Sequence, residues 1–430
     1  MKIDLKNKEF VRALDIVEYT YDNLYLTGKA GTGKSTLLRH LMYNCKKKMI
    51  FLAPTGIAAL NIKGMTIHSF FQLPFGPIIP NDPRLAELRY NRKKINIIKK
   101  LNLLVLDEVS MCRADIIDGI DFCLRHYGGD PQKPFGGKQI LFVGDPFQLE
   151  PVLTPSDKAV IGKYYKTPFF FSAKAYEESH FHQIELKKVY RQNDAYFIKL
   201  LDKIRVNQIS KEELAEINAQ YSEQETEEDF SILLASLRRT ADETNQQKLE
   251  VIDADEIVFK AEVKGNFPVK NFPTEMALRL KVGAQVMFIR NDVEKQWVNG
   301  SIGKITAIHK TEITVLLEEG KTVTTEVETW DNIKYYLDDD NEIKEEVLGS
   351  FTQVPLQLAW AITIHKSQGL TFENVIIDLG TGAFSAGQTY VALSRCTSLE
   401  GIRLRSKIHP RDIIVREEVL DFIGDIRYTS

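Results

Sequence analysis

The 430-residue sequence has only four cysteines, Cys45, Cys112, Cys123 and Cys396, and no two of them form a C-x-x-C pair. Thiols scattered in this way exclude a disulfide framework and offer zinc no ligand set, so they read as buried free thiols. Histidines number eight. His180 and His182 form an H-x-H, but no cysteine or third histidine stands near them, and they read as surface residues. No metal beyond a nucleotide-bound one is expected. No run of about 18 apolar residues occurs, which leaves no candidate membrane span, and residues 1–6 lack the apolar core of a signal sequence. A soluble intracellular protein is expected, cytoplasmic or nucleoid-associated if bacterial, with no membrane partner. A net charge of −3 excludes a globally basic surface, so any polyanion must be met by a local patch. Repeats of about 20–50 residues and low-complexity tracts are missing as well, which excludes a solenoid. What is present is 43% hydrophobic residues in a chain of this length, enough for more than one core and two or three domains.

The first half repeats one pattern: a short apolar run, a polar or Gly-rich loop, then a helical stretch. That is the grammar of a parallel α/β sheet. The runs lie at 24–26, 50–53, 103–106 and 140–143. They do not alternate in polarity, which suits strands covered on both faces. The loops after them, 28–35, 54–56, 107–108 and 144–148, gather polar chemistry at the carboxyl ends, where open α/β sheets bind ligands. In the second half, 231–235 and 375–379 read as strands of a second sheet, with a helical stretch expected over 356–365. Between them, residues 276–350 are strand-like and turn-punctuated, as a small inserted β-barrel would be. Acidic stretches at 223–229 and 338–346 read as solvated loops.

Residues 28–35, GKAGTGKS, match G-x-x-x-x-G-K-[ST] between a strand and a helix, the context this motif requires. The backbone around Gly28, Ala30, Gly31, Thr32, Gly33 and Thr36 is expected to turn N–H groups onto phosphate oxygens, helped by the dipole of the following helix. Lys34 would neutralise the β- and γ-phosphates and the Ser35 hydroxyl would ligate Mg²⁺. Asp107 stands where a carboxylate holds Mg²⁺ through water, and Glu108 where a base polarises the attacking water. An Asp-Glu pair after an apolar run also serves as an ordinary helix N-terminal pair. Gln148 is a candidate γ-phosphate sensor, or a solvent-facing loop residue. Hydrolysis needs positive charge beyond the γ-phosphate, and Arg191 and Arg395 are the candidates; each alone reads equally as a surface or salt-bridged arginine.

These motifs, in this order, resemble the superfamily-one helicases, most closely the Pif-one-like branch, with RecD-type helicases as near relatives. The resemblance is carried by GKAGTGKS at 28–35, APTGIAALNIKGMTIHSFF at 53–71, LVLDEVSM at 104–111, LFVGDPFQLEPV at 141–152 and LKKVYRQ at 186–192. The second half adds AITIHKSQGLTF at 361–372 and QTYVALSRCTSLEGI at 388–402. It implies an α/β fold of two RecA-like parallel-sheet domains, 1–183 and 184–275 with 351–430, holding ATP between them with Arg191 and Arg395 in cis. It adds Gly369 to the nucleotide site, a short wedge hairpin at about 72–83 and an SH3-like β-barrel at 276–350. It also implies movement 5′ to 3′ on single-stranded DNA, unwinding of duplex, G-quadruplex or RNA–DNA hybrid, and use in replication, repair, recombination or telomere-type maintenance. The active species is expected to be a monomer, with pairing on DNA left open.

For the DNA track, single-strand binding needs phosphate-facing donors and platforms for bases. The expected residues are Pro54, Thr55, Thr66, His68 and Phe71, with His365, Lys366 and Ser367 from the second half. LPFGP at 73–77 reads either as a wedge with an apolar tip or as a proline-rich core-edge loop, and Trp297 as barrel core rather than a DNA platform. Two other classes compete: a nucleotide-gated binding module that does not unwind, and a ring ATPase completed by a neighbouring subunit. A GTPase switch is disfavoured because no N-K-x-D occurs.

One departure carries a prediction. The family's N-terminal Leu-Asn-x-Glu-Gln is replaced by LKNKEF at 5–10, with no glutamine to read adenine. GTP should therefore support hydrolysis with a kcat/KM within about tenfold of that for ATP, as phosphate release would measure; strict ATP dependence would mean that adenine is read by other groups.

Overall fold

Strands with no polar face need cover on both sides. In the computed structural model the apolar runs supply β1 (Asn23–Gly28), β2 (Met49–Ala53), β4 (Leu103–Leu106) and β5 (Gln139–Val143), joined by β3 (Met65–Thr66) and β6 (Phe181–Leu186). Their order is β3-β2-β4-β5-β1-β6, and every pairing is parallel. Helices α1 (Lys8–Tyr19) and α2 (Lys34–Asn44) cover one face. There Phe10, Leu14, Val17, Leu37 and Leu41 pack with Leu24, Leu26, Leu141 and Val143. Tyr25 and Phe142, one residue out of phase, turn to the other face. They enter an aromatic cluster with Phe170, Tyr176 and Phe181.

The structure describes residues 4, 6–192, 194–222, 230–292, 294–310, 312–338 and 342–429, so the acidic stretch 223–229 lies outside the described residues. The chain divides into two units: Met1–Tyr190 with Ile333–Glu346 and Arg416–Ser430, and Arg191–Asn332 with Val347–Val415. This corrects the expected boundaries. A break at 183 would cut β6, which pairs with β1 over six residues from Asn23↔Phe181 to Gly28↔Leu186. The C-terminal helix Glu417–Thr429 belongs to the first unit because Phe422 stacks on Phe171, ring centroids 4.2 Å apart, and joins the aromatic cluster. Residues 333–346 join it through Tyr335, buried edge-on to Phe70 at 6.1 Å.

No strand forms between 72 and 82, so the expected wedge hairpin is a loop. Its organiser is Asp115, fully buried, which accepts from Ile78 N at 2.8 Å and pairs with Arg113, while Arg113 Nη2 donates to Gly76 O. A chain so held by one carboxylate needs no ladder.

In the second unit a parallel sheet runs in the order Ala361–Thr363, Ile232–Ala235, Val375–Asp378, Ile402–Leu404. The insertion contains an antiparallel sheet in the order Thr322–Thr325, Glu312–Leu317, Ile302–His309, Gln285–Phe288, Leu356–Leu358. Its core includes Val286, Phe288, Trp297, Ile305, Ile313, Val315 and Leu356. Trp297 stacks on Phe288 at 4.4 Å and is core. The helix expected over 356–365 is instead two short strands, one in each sheet. Apolar spacing there fits either period, and pairing to Phe288 and Leu233 decided for strand. The acidic stretch at 338–346 runs into the strand Ile343–Gln353, so it is not wholly loop.

Beneath Phe70, Lys94 of the helix Arg92–Lys100 holds its ammonium 3.1 Å from the ring centroid. Burial lowers its pKa to about 7, although the aromatic face, which attracts the cation, works against that shift. In the unfolded chain Lys94 is charged up to about 10.5. The folding penalty is therefore absent above that pH, grows as pH falls and is complete below about 7. Lys94→Met should remove this dependence and raise stability at pH 7 by about 2 kcal/mol, measured by denaturant unfolding at pH 7 and pH 10. An equal effect at both would place the penalty elsewhere.

Candidate nucleotide and DNA sites

β5 lies between β1 and β4, with Leu26 opposite Val143 and Leu106 opposite Phe142. Loops leaving these three strands must therefore meet at one edge. From β1 comes the Gly-rich loop, in which Gly31 (φ +76) and Gly33 (φ +94) take left-handed backbone that favours glycine. Gly28 has a different reason: a Cβ there would lie 2.7 Å from both Leu186 O and Thr32 Oγ1. Thr32, buried, donates to Lys29 O at 2.9 Å, and Lys34 Nζ donates to Gly28 O at 2.6 Å and Lys29 O at 3.0 Å. The lysine is thus curled over its own loop. α2 starts at Lys34, so Lys34, Ser35 and Thr36 form its first turn, where N–H groups point outward to an anion.

From β4 come Asp107 and Glu108. Glu108 sits at φ +50 and donates its N–H to Asp107 Oδ1 at 2.9 Å. Burial pushes the Asp107 carboxyl up to about 7, Glu108 adds to the rise, and Lys34 opposes it. From β5 come Asp145 and Gln148, both buried; Gln148 N donates to Asp145 O at 3.0 Å. Lys34, Ser35, Asp107, Glu108 and Gln148 thus hang from adjacent strands of one sheet edge.

β2 and β3 form the far end of the same edge and carry the DNA-side candidates. Thr55 caps the helix Gly56–Asn61 by accepting from Ala58 N, beside Pro54. Two expectations fail here. Phe71 is fully buried and cannot stack on a base; Thr66 is nearly so, and its hydroxyl meets Ser69 Oγ and Ser69 N. Phe70 and Phe71 face inward because the short helix Ile67–Phe71 turns both into the core. The accessible aromatic pair is His68 with Phe75, stacked at 5.5 Å and 8°, with Phe75 72% exposed at a turn made by Gly76 (φ +82).

In the second unit Arg191 and Gln192, which end the motif at 186–192, meet the motifs at 361–372 and 388–402. Arg191 donates to Ser394 O at 3.2 Å and Gly369 O at 3.1 Å, and Gln192 to the carbonyls of Ser394 and Cys396. Arg395, expected at the γ-phosphate, is 1% exposed. It donates to Val391 O, Ser367 O, Leu370 O and Ser394 Oγ. These bonds brace the loop on which Arg191 rests. Ser367 is fully buried and gives its hydroxyl to Ile364 O, which removes it from the DNA candidates. Lys366 remains exposed, and burial lowers the pKa of the half-buried His365.

Sequence reasoning missed Tyr190. Its N–H donates to Gly31 O at 2.8 Å, and its hydroxyl lies 2.9 Å from Asp4 Oδ2 and 3.3 Å from Asn7 Nδ2. The signal was an aromatic residue directly before Arg191. Among the described residues no cluster of three His, Cys, Asp or Glu side chains fits a metal ion, and no helix is long and apolar enough to cross a membrane.

The family described as PIF1-like helicase matches residues 7–216, and the one described as DNA helicase Pif1, 2B domain, matches 264–308. The ATP-dependent DNA helicase Pif1 of Campylobacter jejuni is 31% identical over 410 residues, 90% of this chain and 89% of that protein. This chain belongs to the PIF1-like helicase family. Pif1 of a Bacteroides species in complex with ADP-AlF4 has a TM-score of 0.91 at 38% identity, covering 99% of this chain and 98% of that one. Bacteroides Pif1 bound to single-stranded DNA, also 38% identical, has a TM-score of 0.71, covering 100% and 98%. The tightest point of the β1–β5–β4 edge, the candidate nucleotide site, is testable. Gly28→Ala should weaken ATP binding by at least about tenfold in a fluorescent-nucleotide titration, because the obstructing Leu186 O is backbone; wild-type affinity would mean that β1 and β6 can part.

Proposed function

We propose that this chain, an ATP-dependent DNA helicase, moves 5′ to 3′ along single-stranded DNA and unwinds the duplex ahead. The observation that supports the reading is the shared sheet edge: the candidate phosphate residues at β4-β5-β1 and the candidate DNA residues at β2-β3 belong to one six-stranded sheet. Direction follows from the family resemblance, as do G-quadruplexes and RNA–DNA hybrids as further substrates. So does the division into two RecA-like domains with an SH3-like barrel inserted at 276–350, its limits adjusted to the two units above.

The donor set fits Mg²⁺: the Ser35 hydroxyl and Asp107 carboxylate are hard oxygen ligands, and the raised Asp107 pKa marks an acidic pair short of positive charge. A bound magnesium ion would supply charge neutralisation for the β- and γ-phosphates. Lys34 holds the same phosphates, with the loop N–H groups from Ala30 to Thr36 around them. Glu108 orients and polarises the attacking water, and Gln148 senses the γ-phosphate. Arg191 supplies the finger charge. Arg395 acts as a positioning residue, holding Ser394 and the Gly369 loop under Arg191. On DNA, Pro54 and Thr55 meet the backbone, His68 with Phe75 offers a stacking platform, and His365 and Lys366 grip from the second unit. A second copy on the same fork is compatible with this reading and not required by it.

Two partial duplexes, one tailed 5′ and one tailed 3′, test the proposal. Only the 5′-tailed strand should be displaced, and only with hydrolysable ATP. Displacement with a non-hydrolysable analogue would favour a binding module, and unwinding from the 3′ tail would reverse the polarity. Arg191→Ala should lower DNA-stimulated turnover by about 10³ with single-strand affinity kept; unchanged turnover would remove it from the site.

A further inference from the structure

The chain passes between its two units after Tyr190, Asn332, Glu346 and Val415. The last crossing is anchored on both sides within three residues. On the second-unit side, Ile414 O accepts from Gly387 N at 3.1 Å. Gly387 caps the helix Gln388–Leu393, which leads directly into Ser394 and Arg395. Asp412, 3% exposed, clamps the same helix: its carboxylate accepts from Ala383 N and His409 N, and its carbonyl takes the Thr389 hydroxyl. On the first-unit side, Arg416 forms a two-pronged pair with Glu150, Nε and Nη2 each 2.8 Å from a carboxylate oxygen. Glu150 lies two residues after Gln148, and its side chain is only 15% exposed. Just beyond, Phe422 fixes the final helix in the aromatic cluster.

We propose that Ile414-Val415-Arg416 is a strap linking the loop of Gln148 to the helix of Arg395, with Arg416 a positioning residue that acts through Glu150. The inference rests on the reading of Gln148 as γ-phosphate sensor. The segment 413–416 has no regular structure, and its two links from residue 414 to 416 span at most about 7 Å when extended. Motion of the Gly387 helix beyond that slack pulls on Glu150, because a forked Arg–carboxylate pair resists both sliding and rotation. The strap therefore carries DNA-driven motion of the second unit to the phosphate edge.

The deciding variant inserts Gly-Ser-Gly-Ser between Val415 and Arg416, which keeps both anchors and removes only the tautness. Turnover without DNA should stay within about threefold of the parent, while DNA-stimulated turnover falls at least about tenfold and unwinding falls with it. Arg416→Ala should behave likewise, Arg416→Lys should recover part of the stimulation, and the exchange Glu150→Arg with Arg416→Glu more of it. Parental stimulation in the insertion variant would overturn the strap. So would an equal loss with and without DNA, the mark of a merely structural tether. Gln148→Ala is measured beside them: intact stimulation there would sink the sensor reading alone, whereas the strap is judged on the insertion variant.

Discussion

β5 has a hydrogen-bonded neighbour on each side, β1 on one and β4 on the other, and this pairing decides which loops can meet. A parallel strand delivers every loop of one type to the same edge. Residues 28–36, 107–108 and 145–148, far apart in the chain, are thereby neighbours. The close passage of β1 beside β6 adds a second constraint. At Gly28 there is no room for a Cβ beside Leu186 O, so the two strands pair this closely only with glycine there.

Charge at that edge is arranged in tension. Two carboxylates stand side by side at the end of an apolar strand, and burial with mutual repulsion raises Asp107 well above its ordinary range. Only Lys34 opposes that rise among the causes acting from outside the pair, and it is also tied to two loop carbonyls. Such an edge is short of positive charge. In the second unit the two arginines divide by burial. One is sealed among carbonyls and shapes the loop, and the other rests on that loop with its guanidinium at the surface layer.

Aromatic residues do two different jobs in the first unit. Inside, Tyr25, Phe142, Phe170, Tyr176 and Phe181 form a packed layer under the sheet, and Phe422 is drawn from the far end of the chain into it. At the surface, His68 and Phe75 stack on each other and remain accessible. The inner cluster explains why the final helix leaves the unit that precedes it in sequence. Burying one more ring in an existing aromatic core is worth more than an exposed amphipathic helix end.

Much of this was legible in the residues themselves. Non-alternating apolar runs identify doubly covered strands, and a phosphate loop between a strand and a helix needs no tertiary information, because glycine spacing and local helix geometry make the cradle. The motif order sufficed for the family. What escaped was whatever depends on which way a side chain turns or on who pairs with whom. His68 and Phe71 belong to one motif, yet a single short helix sends one ring outward and the other into the core. Arg191 and Arg395 read alike, and only the surrounding carbonyls separate a reaching arginine from a bracing one. Residues 356–365 fit helix and strand periods equally until Phe288 and Leu233 offered ladders. Local chemistry and periodicity are properties of neighbours along the chain, so sequence alone determined the cradle, the strands and the helicase family. Burial, pairing and the return of the last helix arise from contacts between distant residues, and those only the tertiary structure could decide.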